Sequence, residues 1–302
     1  MHVNLNGSVI NTDITLFSSE NRAFRYGDGL FESIRVFDGK MPFFDLHWHR
    51  LSMGFELLKY ELPAFFSPNF FENEIQKLTQ GHGNWRIRLT VWRGGAGLYT
   101  PESNIPEFLI EATPLPSAVF ELNENGLNIG LFDQALLHHQ PLSILKTTSA
   151  LPYVLASIFK KENQLDDCLM PNTAGRPVCG SSSNFFWVKD DELSTPPLTE
   201  GCIAGTMRGA VLALAGQLGI MVSETPITMD ELKVANEIFL TNAIQGIRWV
   251  QTIPDRSKPF NFKTARMLND ALNQFLKSWQ NQLMPIAPST KMQQPPYSGK
   301  KA

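Results

Sequence analysis

The stretch LFESIRVFDGKMPFFDLHWHRLSMGFELL, residues 30–58, changes its period part-way along. Its first half alternates apolar and polar residues around the Asp38-Gly39 pair, which predicts two strands joined by a tight turn. From about Asp45 to Tyr60, Leu51, Phe55 and Leu58 recur at spacings of four and three, as on one helical face. On the N-terminal side, VNLNGSVI predicts a small hairpin turned at Asn6-Gly7. On the C-terminal side, WRIRLTVW, 85–92, returns to a period of two, with Arg86, Arg88 and Trp92 on one face and Ile87, Leu89 and Val91 on the other.

Farther along, strands are expected near NIGLF, DDCLM, NFFWVK and EIFLTN, and helices from about Ser149 to Asn163 and from about Thr206 to Leu218. Strands outnumber helices and both recur, so the expected class is a two-domain α+β fold and not a doubly wound sheet. EATPLPSAVFELNENG contains two prolines and no sustained period, and it reads as a connector. The expected organisation is a smaller N-terminal domain over 1–112, a linker over 113–126, a larger C-terminal domain over 127–283 and a disordered, proline-rich polar tail over 284–302.

At roughly 100 to 200 residues per domain, 302 residues suit two domains with a substantial core. The 26 Lys and Arg against 29 Asp and Glu leave a net charge of −3, which offers no field for nucleic acid or anionic lipid. Any anion must be met by local groups. Cys168, Cys179 and Cys202 lack metal-ligand spacing, and an odd number cannot close a disulfide framework, so a reducing cytoplasm and no metal are expected. The polar start MHVNLNGSVINTDIT has no signal core, and no stretch reaches the roughly 18 apolar residues of a spanning helix.

A few residues could carry chemistry. The helix beginning near Thr206 follows GCIAG, so its first N–H groups and its dipole could cradle a phosphate; an ordinary helix start with Gly205 near the N-cap fits the same residues. GSSSN, 180–184, sets three hydroxyls beside a glycine, as a ligand contact or as a polar turn. Lys146 follows Ser143-Ile144-Leu145, which reads as the end of a partly buried strand. Desolvated there, its amine would become nucleophilic; the alternative is a lysine snorkelling to solvent. Arg50, in DLHWHRL, is either an exposed helix residue or a fork of donors for a phosphate. His47 and His49 sit two apart, wrong for sharing a helical face as metal ligands, and read as structural or substrate-lining. Arg86 and Arg88 are either carboxylate ligands or solvent-facing strand residues.

Taken in order, FRYGDGLFESIRVFDGK, FFDLHWHRL, WRIRLTVWRGGAG, ILK, GSSSNFFWV, TPPLTEGCIAGTMRG and EIFLTNAIQGI resemble the class IV pyridoxal-phosphate aminotransferases, which include branched-chain aminotransferases and aminodeoxychorismate lyases. The resemblance implies a fold type IV enzyme with pyridoxal 5'-phosphate held between two domains, the larger C-terminal one binding it, and a homodimer. It implies that Lys146 forms the Schiff base and moves the substrate α-proton, and that Arg50 and the N–H groups of Thr206 and Met207 hold the phosphate. Cys179, Ser182, Ser183, Asn184, Gly205 and Asn242 fall at cofactor-binding positions; Phe31, Glu32 and Ser33 follow the turn where the family lines its substrate pocket, with Arg86 and Arg88 nearby. The implied reaction moves an amino group between a branched-chain-like amino acid and a 2-oxo acid.

Departures from the family pattern keep two other readings open. Cys179 stands where the family places a glutamate against the pyridine nitrogen, which suits a weakened, cofactor-binding homologue. Met207 and the Asn242-Ala243 pair look more like the lyase branch, which eliminates pyruvate.

Overall fold

The computed structural model describes residues 2–13 and 15–280; the tail expected over 284–302 lies outside the described residues. The N-terminal half forms one antiparallel sheet from β1 (His2–Leu5), β2 (Ser8–Asn11), β3 (Gly29–Val36), β4 (Trp85–Arg93) and β5 (Pro106–Pro114), in the order β2-β1-β5-β4-β3. Helices α1 (Arg22–Tyr26), α2 (Phe44–Leu57) and α3 (Pro68–Thr79) accompany it. The first hairpin turns at Asn6 and Gly7, whose φ values of 52° and 89° are the left-handed pair that a right-twisted hairpin needs. Alternation then sorts β3 and β4. Leu30, Ile34, Ile87, Leu89 and Val91 pack with Leu51, Phe55, Phe71 and Ile75 of α2 and α3. Phe31, Ser33, Arg86 and Arg88 are left for the opposite face, which borders the C-terminal half.

The second strand expected after Asp38-Gly39 does not form. The two residues do turn, at φ 46° and 74°, but only one bridge, Phe37 to Lys40, closes before Pro42 and the start of α2. A distant segment takes the open edge of β3 instead. Phe31 N–H donates to Lys146 O at 2.8 Å, and Thr148 N–H donates to Gly29 O at 2.9 Å. The residues expected as a strand end before Lys146 are a 3₁₀ turn, Pro141–Ile144, followed by the buried Leu145 that anchors in the α2–α3 core.

The C-terminal half carries β6 (Leu127–Leu131), β7 (Asp167–Pro171), β8 (Pro177–Gly180), β9 (Asn184–Lys189), β10 (Glu192–Thr195), β11 (Val222–Glu224), β12 (Glu237–Asn242) and β13 (Gly246–Thr252). They form one mixed sheet in the order β11-β10-β9-β12-β13-β6-β7-β8. With them run α4 (Leu151–Glu162), α5 (Thr206–Gln217), α6 (Met229–Lys233) and α7 (Lys263–Gln280). The central strands are covered on both faces. Phe186 and Phe239 stack at 5.1 Å and pack with α5 and α7 residues, while Phe185, Trp187, Ile238 and Leu240 pack with Leu232 of α6. This is the expected α+β class.

Residues 115–126, between β5 and β6, contain no helix or strand. Arg35 holds them: its Nη2 donates to Ser117 O at 2.9 Å and Val119 O at 2.7 Å. Among the described residues no helix is long and apolar enough to cross a membrane.

Candidate active site

A cavity of about 900 Å³ lies where the two halves meet, within the size range of small-molecule and cofactor sites. Lys146 reaches it because its backbone is pinned to the edge of β3. The Lys146 amine sits 4.2 Å from the centre of the Phe31 ring and has no carboxylate partner among the described residues. Burial, reinforced by the charges of Arg50, Arg88 and Arg86, lowers its pKa to about 8, while Glu32 pulls the other way. The side chain is half-buried in the cavity wall, and an appreciable share of the amine is free base near neutrality. Because the neutral amine is the nucleophile, uptake of pyridoxal phosphate by the protein should accelerate with pH and level off above about 8, as stopped-flow absorbance would show.

Arg50 is buried, and its role begins with a carboxylate beneath it. Arg50 Nε donates to Glu32 Oε1 at 2.8 Å, Nη2 donates to Glu32 Oε2, and Nη1 donates to Ala204 O at 2.8 Å. His47 Nδ1 lies 2.7 Å from the same Glu32 Oε2. Burial alone would raise the Glu32 carboxyl, but Arg50 and His47 hold it down at about 2. Burial lowers His47, so it stays neutral and donates its Nδ1–H. This leaves one hydrogen on each terminal nitrogen of Arg50 for a ligand.

Glu32 is thus not in the substrate pocket where the resemblance put it: it lies on the helix-facing side of β3, between Phe31 and Ser33, which do line the cavity. The signal was present in the sequence. An acid sharing the parity of Leu30 and Ile34 faces an apolar layer and needs a cation from the covering helix.

The N-terminus of α5 forms the opposite wall. Gly205 is its N-cap and provides no side-chain cap, so the first-turn N–H groups at Thr206 and Met207 are left to an anion. A Cβ on Gly205 would fall 1.9 Å from Asn184 Oδ1, which is why a glycine stands there. Asn184 in turn donates to Ile203 O at 2.9 Å. Ala204 joins the parts: its N–H donates to Ile144 O at 2.9 Å, and its carbonyl accepts from Arg50.

The remaining expected residues lie around the same space. Cys179, Ser182 and Ser183 line one wall, with Asn242 at the end of β12. Asn242 Oδ1 accepts from Ile244 N and Gln245 N at 3.0 and 2.8 Å, so it shapes the turn into β13. Arg86 and Arg88 stand beside Phe31, and Arg88 stacks 4.0 Å above its ring. Burial pushes the Cys179 thiol well above its ordinary range, aided by Cys202 and Asp167, so this position carries no anion. His49 is exposed and takes no part.

Sequence reasoning missed Thr241, Asp167 and Arg248 in the cavity wall. Thr241 Oγ1 is buried with no hydrogen-bond partner among the described residues, an orphan that a bound ligand would satisfy. Together with the uncapped helix, the spare Arg50 donors and the unpaired amine, it shows that the residues present fit pyridoxal phosphate. They divide into an anion seat and a nucleophile on one cavity.

The sequence profile of the amino-transferase class IV family matches residues 29–253. The chain belongs to this family. It is similar to the putative branched-chain-amino-acid aminotransferase of Methanocaldococcus jannaschii, with 28% identity over 256 residues that cover 82% of this chain and 86% of that one. It is also similar to the aminodeoxychorismate lyase of Vibrio harveyi, at 25% over 258 residues, covering 84% and 94%. Its fold matches that of the branched-chain aminotransferase of Thermoproteus uzoniensis crystallised with norvaline, with a TM-score of 0.82 at 21% identity, over 95% of this chain and 99% of that one. As a class IV aminotransferase family member of fold type IV, it is a pyridoxal-phosphate-dependent enzyme.

Proposed function

We propose that this class IV enzyme moves an amino group between a branched-chain-like amino acid and a 2-oxo acid, with Lys146 carrying the cofactor and moving the substrate α-proton. The observation that carries this reading is the free, burial-activated amine of Lys146 in the cavity that also holds Arg50 and the open N-terminus of α5. When bound, the cofactor supplies an aldehyde that joins the substrate amine and a ring that spreads the charge left at the α-carbon. Arg50 and the N–H groups of Thr206 and Met207 hold its phosphate, with the Thr241 hydroxyl beside them. Lys146, with a pKa of about 8, is matched to taking and returning a proton near neutral pH. Arg86 and Arg88 orient a substrate carboxylate, and Phe31, Tyr153, Val154 and Ile158 give an aliphatic side chain an apolar wall.

A second reading is elimination of a β-substituent with release of pyruvate. The arginines at 86, 88 and 248 favour it, because three arginines besides Arg50 on one cavity suit a substrate with a further carboxylate. The Vibrio relative points the same way. A paired assay on the purified, cofactor-loaded protein separates the two. Formation of 2-oxo acid from branched-chain amino acids supports transfer; pyruvate from aminodeoxychorismate supports elimination; conversion of neither contradicts both.

The active unit is proposed to be a homodimer packed through α4. Leu151, Val154, Leu155 and Ile158 are exposed at helical spacing, Leu151 by 73%, and Val154 and Ile158 also border the cavity. A second copy on this face would wall the site. Leu155→Glu should give a monomer by sedimentation that loses cofactor faster on dilution, whereas an unchanged dimer would place the interface elsewhere. Three unpaired cysteines, all buried, fit work in the reducing cytoplasm.

A further inference from the structure

Asp167 is a buried carboxylate in the cavity wall that the proposed chemistry leaves unused. It begins β7, whose partner strand β8 ends in Cys179 and Gly180. The loop from β8 to β9 wraps around it. Ser181 N–H and Oγ donate to Asp167 Oδ1 at 3.0 and 2.5 Å, and Ser183 Oγ donates to Asp167 Oδ2 at 3.0 Å. The Ser183 hydroxyl and Asp167 Oδ2 crowd the flank of Gly180: a Cβ there would lie 2.2 Å from Ser183 Oγ and 3.0 Å from Asp167 Oδ2. The carboxylate and its hydroxyls therefore sit beside Cys179, a neutral thiol at the position where the resemblance implies a glutamate.

A hydroxyl has one hydrogen and two lone pairs. In Ser183 the hydrogen is committed to Asp167, so the oxygen can only accept from anything in the cavity. An acceptor-only group backed by a buried carboxylate selects a partner that donates. The neutral Cys179 thiol, a weak donor and a weak acceptor, makes no such selection.

We propose that Asp167 acts as a positioning residue which, through Ser183, holds the pyridine nitrogen of the cofactor in its protonated form, the duty left vacant by Cys179. The proposal rests on the pyridoxal phosphate reading of the cavity.

The test is the nitrogen resonance of the holoenzyme loaded with 15N-ring-labelled pyridoxal phosphate. The wild type should show a protonated ring nitrogen, and Asp167→Asn should move the signal to the unprotonated position. Ser183→Ala, which keeps the Ser181 bonds to Asp167, should move it the same way and decides the matter if Asp167→Asn does not fold. Cys179→Glu added to Asp167→Asn should restore the protonated signal, a rescue that a role confined to shaping the loop would not show. An unprotonated nitrogen in the wild type, or a protonated one that survives both Asp167→Asn and Ser183→Ala, overturns the proposal. Failure of the wild type to bind the cofactor at Lys146, read from its visible absorbance, would instead remove the underlying reading.

Discussion

Replacing Lys146 by alanine should leave a folded protein that binds pyridoxal phosphate only reversibly and turns over at least 10²–10⁴-fold more slowly, the order that a positioned acid–base group contributes. The amine lies in the cavity with no carboxylate partner among the described residues, so its removal breaks no ion pair and the loss should appear in kcat with little change in thermal midpoint. A small amine added to the medium should restore part of the rate as a diffusible base. A Lys146→Ala protein with normal turnover would place the chemistry on another group.

Arg50→Gln should affect both binding and folding. Losing a charge-assisted fork costs about 1.5–3 kcal/mol, or roughly 10- to 100-fold in cofactor affinity, measurable by equilibrium dialysis. It also strands Glu32, and removing one partner of a buried pair typically costs about 3–5 kcal/mol. The pH dependence gives the sign. In the wild type the Glu32 carboxyl is held at about 2 against an ordinary 4.5, so its stabilisation is complete above pH 4.5 and disappears only as the pH falls through 2. Without Arg50, only His47 opposes burial, so the Glu32 carboxyl should rise from about 2. The stability deficit of the variant should then shrink on acidification, as denaturation at stepped pH would reveal. A deficit that stays constant with pH would mean that Arg50 does not compensate Glu32.

The local elements were legible where a short stretch carries its own signal. Asn6-Gly7 names its turn because both residues accept positive φ, and the α2 and α5 helices follow from apolar spacing and from a glycine start. The missing strand after Asp38-Gly39 shows the limit. The neighbour of β3 on that edge comes from Lys146–Thr148, more than a hundred residues later, and no local period announces it. Strands such as Pro177–Gly180 and Glu192–Thr195 are four residues long, too short for alternation to register. The site was legible as residue types in order, and the structure adds what holds them. Arg50 could be read from the sequence either as an exposed helix residue or as a donor fork, and the Glu32–His47 support beneath it appears only when the parity of β3 is set against α2. Asp167 was hidden inside a strand signal, since DDCLM reads as backbone and not as chemistry until β8 is laid beside it.

One amine, at Lys146, is proposed to carry the cofactor. Borohydride reduction of the pyridoxal-phosphate-loaded protein, followed by proteolysis and peptide mass spectrometry, tests it directly. A single phosphopyridoxyl group should appear on the peptide containing Lys146, formed stoichiometrically and absent from Lys146→Ala. A label on another lysine, or an active protein that takes up no label, would contradict it.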